Sequence, residues 1–371
     1  MSIAMLVLVG LVYAAPGCAA DTTLAAPDLG APGPDLAVEP PTDLAVMPSI
    51  DMGAAPPDLV VGPDLDVRNV LISTIAVGKG VDGIAANPVT NKVYAANEGA
   101  GTVSVIDAAR NVVAATVTTG HEPSQIAIDT QRNRVYITDE IDDTVVELDG
   151  AKDTVTGASQ LPARSAPDDL ALNSASGRLY TVNEDGNTLS ILDITQSPPV
   201  VLNTIATDMV PDGVAILYGN TPGADRVYFA AQKSINVTVI DGLGMPVGSP
   251  MSLASGLLDT VAINQSTKRA YVAVQTDDVL AVIDIANNNA VTARIPVGKR
   301  PEGIAIDEKS NVIYVVNSGG ASYQVIDGAA GKVMATVATG PGPLGIAFNS
   351  TTRCVYVTDE VEGSVRVYGG Y

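Results

Sequence analysis

The chain has 371 residues, 46% of them hydrophobic and only 16% charged, with no Trp and two Phe, so its core must be built from Val, Ile, Leu and Ala. Aliphatic, β-branched composition of this kind favours pleated strands. A formal charge of −21, one His and two Cys exclude a His-rich metal centre, a disulfide framework and a general binder of phosphate backbones.

The first element is an apolar run from Ile3 to Ala15. It is shorter than the ~20 residues of a membrane span and suits the core of an export signal. The run ends in Ala15-Pro16-Gly17-Cys18, which resembles the lipobox of bacterial lipoproteins. That resemblance implies a signal peptide over 1–17 and a lipidated Cys18 as the mature N-terminus. It places the protein at the outer membrane, periplasm or cell surface, with secretion after cleavage near Ala20 as the other reading. With Cys18 lipidated, Cys354 is expected to be a buried small hydrophobe.

The second element, 18–66, carries nine acids and no Lys or Arg. Pro-Asp-Leu recurs at Pro27-Asp28-Leu29, Pro34-Asp35-Leu36, Pro57-Asp58-Leu59 and Pro63-Asp64-Leu65. Proline fixes φ and the spaced carboxylates repel, which predicts an extended, disordered tether. A fully polyproline-like tether would reach on the order of 150 Å.

From 67 to 371 the sequence repeats every 42 to 48 residues, marked by Tyr94, Tyr136, Tyr180, Tyr228, Tyr271, Tyr314 and Tyr356. An aliphatic-Ala pair precedes each tyrosine, as in Ile84-Ala85 and Ile304-Ala305. An Asp closes the following apolar run in six copies, from Asp107 to Asp327. A period near 42 indicates a solenoid or a propeller. Each copy holds four short apolar runs, such as Gln125–Asp129, Arg134–Thr138, Thr144–Asp149 and Thr154–Thr156 in the second. Four short strands and no helical period predict one antiparallel propeller blade per copy. The basic residues before the tyrosines (Lys92, Arg134, Arg178, Arg226, Arg269) read as solvent-facing, the tyrosines as blade packing and the closing Asp residues as turn caps.

Val93-Tyr94-Ala95-Ala96-Asn97, Ile313-Tyr314-Val315-Val316-Asn317 and Val355-Tyr356-Val357-Thr358-Asp359 resemble the YVTN signature. Thr102-Val103-Ser104-Val105-Ile106-Asp107 and Pro301-Glu302-Gly303-Ile304-Ala305 resemble its companion motifs. The resemblance covers about residues 68–371 and implies a seven-bladed β-propeller of the YVTN-repeat family. That family includes surface-layer proteins, periplasmic binding proteins and relatives of enzyme subunits, so fold alone does not fix function.

Strand registry predicts how the ring closes. The last copy ends after its third strand, near Ser364–Tyr368, while Val70–Val77 matches the outer strand of other copies. The N-terminal segment is therefore expected to complete the seventh blade.

Two groups of residues are candidates for function. Asp82, Asp168, Asp212, Asp259 and Glu302 stand just before the inner strands of five blades, with Ser124 and Leu344 in the other two. A ring of carboxylates at the channel mouth suits a hard cation such as calcium; local turn capping is the alternative. The loops between second and third strands are acidic, and the inter-blade loops beside them add Lys79, His121, Glu122, Arg164, Lys299 and Arg300. Such a face suits a protein or glycan at the envelope. His121 beside Glu122 offers an acid–base pair, but no nucleophile accompanies it. The sequence thus reads as a monomeric, non-enzymatic binding or scaffold module without a cofactor. Its alternatives are a lactonase- or lyase-type propeller, or an accessory subunit of an envelope redox enzyme. Nucleic-acid binding is disfavoured by charge.

Overall fold

A computed structural model of the chain describes residues 68–253 and 256–371. The export signal, Cys18 and the tether lie outside the described residues. Seven four-stranded antiparallel sheets follow one another around a ring, each inner strand packing against the inner strands of both neighbouring blades. The fold is the predicted seven-bladed β-propeller.

Blade 1 consists of Val81–Asn87, Lys92–Asn97, Thr102–Asp107 and Val112–Thr118 from the axis outward. Blades 2 to 6 repeat this order, and blade 7 contains Pro343–Asn349, Cys354–Asp359, Ser364–Gly369 and, as its outer strand, Leu71–Ala76. The two middle strands of each blade are covered on both faces and read as unbroken apolar runs. The outer strands alternate between half-buried and exposed positions, because only one face meets a neighbour. Among the described residues no helix is long and apolar enough to cross a membrane.

Local chemistry sets the turns. Asn91, Asn111, Asn133, Asp153 and Asn311 take left-handed φ values of 51–55° in the hairpin turns, where Asn and Asp tolerate that region best. The closing Asp of the third strand caps the next turn: the Asp107 carboxylate accepts from the backbone N–H groups of Ala109 and Arg110 at 2.9 and 3.2 Å. The seven marker tyrosines are buried between blades, as expected. Tyr94 of blade 1 packs with Ile126, Val135 and Ile137 of blade 2.

The basic residues before the tyrosines depart from the expectation of solvent-facing positions. Lys92 Nζ donates to Asp153 at 2.7 Å and to the Gly150 carbonyl at 2.9 Å, tying blade 1 to blade 2. Arg269 reaches the Gly328 carbonyl of blade 6 at 2.8 Å in the same way. Their heads find carbonyl and carboxylate partners at the foot of the next blade.

The ring closes as the registry predicted. Leu71 pairs with Tyr368, and Ser73 to Ala76 pair with Val367 to Ser364. Ile75 enters a core shared with Val365 and Val367 of blade 7 and Val81 and Val93 of blade 1. Beyond this strand, Arg68 lies over the Tyr371 ring at 4.6 Å, and the Tyr371 N–H donates to Tyr314 Oη at 2.9 Å. Cys354 is fully buried.

Candidate functional site

All seven inner strands begin with the same irregularity. In blade 3, Pro167 pairs with Asn183 and Leu170 with Thr181, so three steps on the inner strand match two on its partner. The same bulge opens the other six inner strands. A bulge takes a residue out of the ladder and re-aims its side chain. The acids Asp82, Asp168, Asp212, Asp259 and Glu302 occupy this bulge as second residues of their strands. They do not precede the strands, as the sequence suggested. The carboxylates thereby turn onto the channel.

The third bulge residue is glycine in four blades, and close approach of the next blade explains why. A Cβ on Gly83 would stand 2.2 Å from the Ser124 carbonyl oxygen and 2.8 Å from Gln125 Cα, both backbone atoms of blade 2. Gly213, Gly303 and Gly345 meet the following blade in the same manner. Gly83→Ala should therefore cost on the order of 1–3 kcal/mol or more, since neither strand can yield without opening the ring. Chemical denaturation of the parent and variant measures this directly; equal midpoints would show that the ring relaxes freely.

A second tier of side chains stands above the bulge. The first residue after each second strand donates its backbone N–H to a carbonyl of the adjacent inter-blade loop. Glu98 bonds Gly80, Glu140 bonds Glu122, Glu184 bonds Ala166, Gln232 bonds Val210, Gln275 bonds Leu257, Ser318 bonds Arg300 and Glu360 bonds Gly342. Seven equivalent bonds fix seven equivalent positions, four of them glutamate. Asn97, Asp139 and Asp359 reinforce the joint from below. Asn97 Oδ1 accepts from the Gly78 N–H at 2.9 Å, and Asp139 Oδ2 accepts from the His121 N–H at 2.8 Å.

The bulge residues, joined by Gln232 and Gln275 of the second tier, enclose a cavity of about 580 Å³ at the channel mouth. Asp82, Asp168, Asp169, Asp212, Asp259 and Glu302 line its upper wall, and Ile84, Val214, Val261, Ile304 and Ile346 line its floor. Carboxamides from the wall bridge the acids. Gln125 donates to Asp82 at 3.2 Å, Gln232 to Asp212 at 3.2 Å, and Gln275 to both Asp259 and Glu302, the latter at 3.3 Å. Asp169 instead accepts from the Val214 N–H of the next blade at 2.8 Å.

Crowding of like charge in a partly desolvated cavity raises carboxyl pKa values. Burial, followed by the charges of Glu98, Glu140, Glu302 and Glu360, pushes Asp82 up to about 8. Burial pushes Asp169 and Glu140 up to about 7. Asp168 rises well above the usual range through burial and its neighbour Asp212, whose carboxyl lies in hydrogen-bonding range. Asp259 rises through burial and the charges of Asp212 and Glu302. Several of these groups are thereby disposed to hold protons near neutrality.

The remaining candidates lie on the rim and do not enter the cavity wall, Arg300 excepted. Arg300 Nη2 donates to Glu302 at 3.1 Å, and Lys299 Nζ is paired with Asp278 at 2.5 Å. The Arg164 N–H donates to Asp143 at 2.7 Å, while Lys79 is exposed. His121 Nδ1 is held by Asp142 at 2.8 Å on the exposed rim, and the Glu122 N–H donates to Asp139 at 3.3 Å. The His121–Glu122 pair suggested by adjacency does not form. Among the described residues no three acidic, His or Cys side chains are grouped closely enough to hold a metal ion. The carboxylates form an open collar around the cavity.

Sequence reasoning missed Gln125, Asp169, Gln232 and Gln275, and read Glu98, Glu140, Glu184 and Glu360 only as members of acidic loops. For Gln232, Gln275 and the four glutamates, the shared position directly after the second strand was the available signal.

No protein-family model matches the sequence, and no curated protein matches it. Among solved structures the fold is similar to Kuenenia stuttgartiensis hydrazine synthase, with a TM-score of 0.68 and 17% identity over 82% of this chain and 98% of that one. At that identity the likeness concerns the fold alone.

Proposed function

We propose that this propeller is a non-enzymatic binding module that takes a cationic group into the collar at its channel mouth. One observation carries the proposal: six acids, several disposed to hold protons, line a single cavity together with aliphatic side chains. An organic cation with a hydrocarbon stem satisfies both layers, its charge replacing the shared protons and its stem covering Ile84 and Val261. In the same proposal the export signal and Cys18 anchor the protein at the bacterial envelope, and the tether holds the collar away from the membrane.

Calorimetric titration at pH 7.5 tests the binding. Spermidine is expected to bind the parent and to lose at least tenfold in affinity to Asp168→Asn/Asp212→Asn, with calcium as a parallel arm. No heat from spermidine, or equal binding by the variant, overturns the collar as the site. Calcium binding with the same loss in the variant would transfer the site to a metal ion. Intact mass of the exported protein, compared with Cys18→Ser, tests the anchor.

A further inference from the structure

The links between strands differ in length at the two ends of the ring. On the end that carries the collar, second and third strands are joined by four residues in every blade, from 98–101 to 360–363. On the opposite end, first and second strands are joined by four residues in six blades but by eight, 218–225, in blade 4. Third and fourth strands are joined by four to six residues in blades 1, 2, 3, 5 and 6 but by nine, 242–250, in blade 4. The two long links pack together, and the Pro222 carbonyl leaves no room for a Cβ on Gly242. Insertions in a repeat fold commonly gather on a binding face.

The eight-residue link begins with Tyr218. With Ile128, Leu172, Val214, Ile216 and Ile263 it lines a second cavity of about 250 Å³, at the end of the channel away from the collar. The tyrosine is held in place from its backbone. Its N–H donates to Gln265 Oε1 at 3.0 Å, and the following N–H, of Gly219, donates to the buried Asp225 carboxylate at 2.7 Å. Gln265 Nε2 donates to the Ile216 carbonyl at 2.7 Å, so the one amide on the wall has both ends engaged. The other side chains of the wall are aliphatic. Tyr218 is 57% exposed. The protein around its hydroxyl, followed by the charges of Glu308 and Asp225, nevertheless raises its pKa above the ordinary value. Glu308 stands beside the cavity and accepts from the Gln265 N–H at 3.3 Å.

We infer that this cavity takes a small uncharged aromatic molecule, its ring stacked on Tyr218 and its carbon framework against Ile128, Leu172 and Ile216. An aliphatic cavity of about 150 Å³ suffices for benzene, so the larger space here suits one ring or a fused pair. A ring already fixed by its backbone offers stacking at little ordering cost. The engaged amide leaves a polar ligand few partners, and the carboxylates of Glu308 and Asp225 disfavour an anionic one.

Fluorescence titration of the full chain with indole tests the site, since the protein has no Trp to obscure indole emission. A saturable blue shift is expected as indole enters an apolar space. Tyr218→Phe is expected to keep the parent's affinity and Tyr218→Ala to lose about fivefold or more. Indole-3-carboxylate is expected to bind about fivefold more weakly than indole. Asp168→Asn/Asp212→Asn is expected to leave indole affinity unchanged, which separates this site from the collar. Tyr218 is exposed, so its variants keep the parent's stability. Absence of a saturable shift, equal affinity in Tyr218→Ala, or loss of indole binding in the double collar variant overturns the site. Indole-3-carboxylate binding as tightly as indole overturns the uncharged class of ligand.

Discussion

A chain beginning at Gly78, and so lacking the strand Leu71–Ala76, is expected to lose cooperative unfolding and to associate through blade 7. Removing the strand exposes the whole edge of Ser364–Gly369 and uncovers the core that Ile75 shares with blades 1 and 7. Burial of an Ile side chain contributes about 1.5–3 kcal/mol, and each ladder bond about 0.5–1.5 kcal/mol. Lost together, these terms rival the roughly 5–15 kcal/mol that holds a typical domain folded. An unpaired edge also invites strand addition from another chain. A milder variant isolates packing from pairing: Ile75→Ala should cost about 2–4 kcal/mol, whereas Thr74→Ala, at an exposed position, should cost little. Thermal melting and light scattering measure both effects. A truncated chain that stays monomeric and melts within a few degrees of the parent would show that closure contributes little.

The second large effect is a fall in stability as pH rises. The collar groups have folded pKa values above their unfolded values of about 4. Between about pH 4 and pH 8 the folded state binds more protons than the unfolded state, so stability decreases through that range. The stabilisation is complete below the unfolded pKa and is lost as Asp169 and Glu140 deprotonate near 7 and Asp82 near 8. Arg300 beside Glu302 and Lys233 near Glu184 offset only part of this charge. Asp149, Asp193 and Asp307 act in the opposite sense, since hydrogen bonds and basic neighbours lower their pKa values; their contribution is lost on acidification below about 4. Holding one proton against two pH units is worth about 2.7 kcal/mol. The melting temperature should therefore drop by about 5–10 °C from pH 6 to pH 9. Asp82→Asn/Asp168→Asn should flatten that slope and melt above the parent at pH 9. A ligand cation should do the same for the parent, since it binds the ionised collar of the folded state alone. A profile that is flat from pH 5 to 9, or unchanged in the double variant, contradicts this account of the collar.

The ring was legible in the sequence because each blade repeats the same solution to the same packing problem. Tyr94 and its six counterparts recur since each fills the same gap between sheets, and Leu71–Ala76 matches an outer strand because it is one. The collar was legible only in part. The five bulge acids could be aligned by their distance from the aliphatic-Ala pair, but the bulge that turns them inward is a backbone event with no residue signature of its own. The convergence of Glu98, Glu140, Glu184 and Glu360 depends on a main-chain bond between loops that are some eighteen residues apart in sequence. Side-chain identity does not encode that bond. The bridges made by Lys92 and Arg269 were misread because a basic residue at the start of a strand looks alike whether it faces water or the foot of the next sheet.

Entry of the chain through its own closing strand has a mechanical consequence. Any tension transmitted along the segment ahead of Arg68 is borne first by the Arg68–Gly369 bridge and the bond from the Asn69 N–H to the Gly369 carbonyl at 2.7 Å, and then by the Leu71–Tyr368 pair next to the register shift between Leu71 and Ser73. A steady pull there would unzip blade 7 pair by pair while the other six blades remain unloaded. The molecule thus has a defined weak seam, and its rupture would turn a sealed ring into a split one with its other six sheets still assembled.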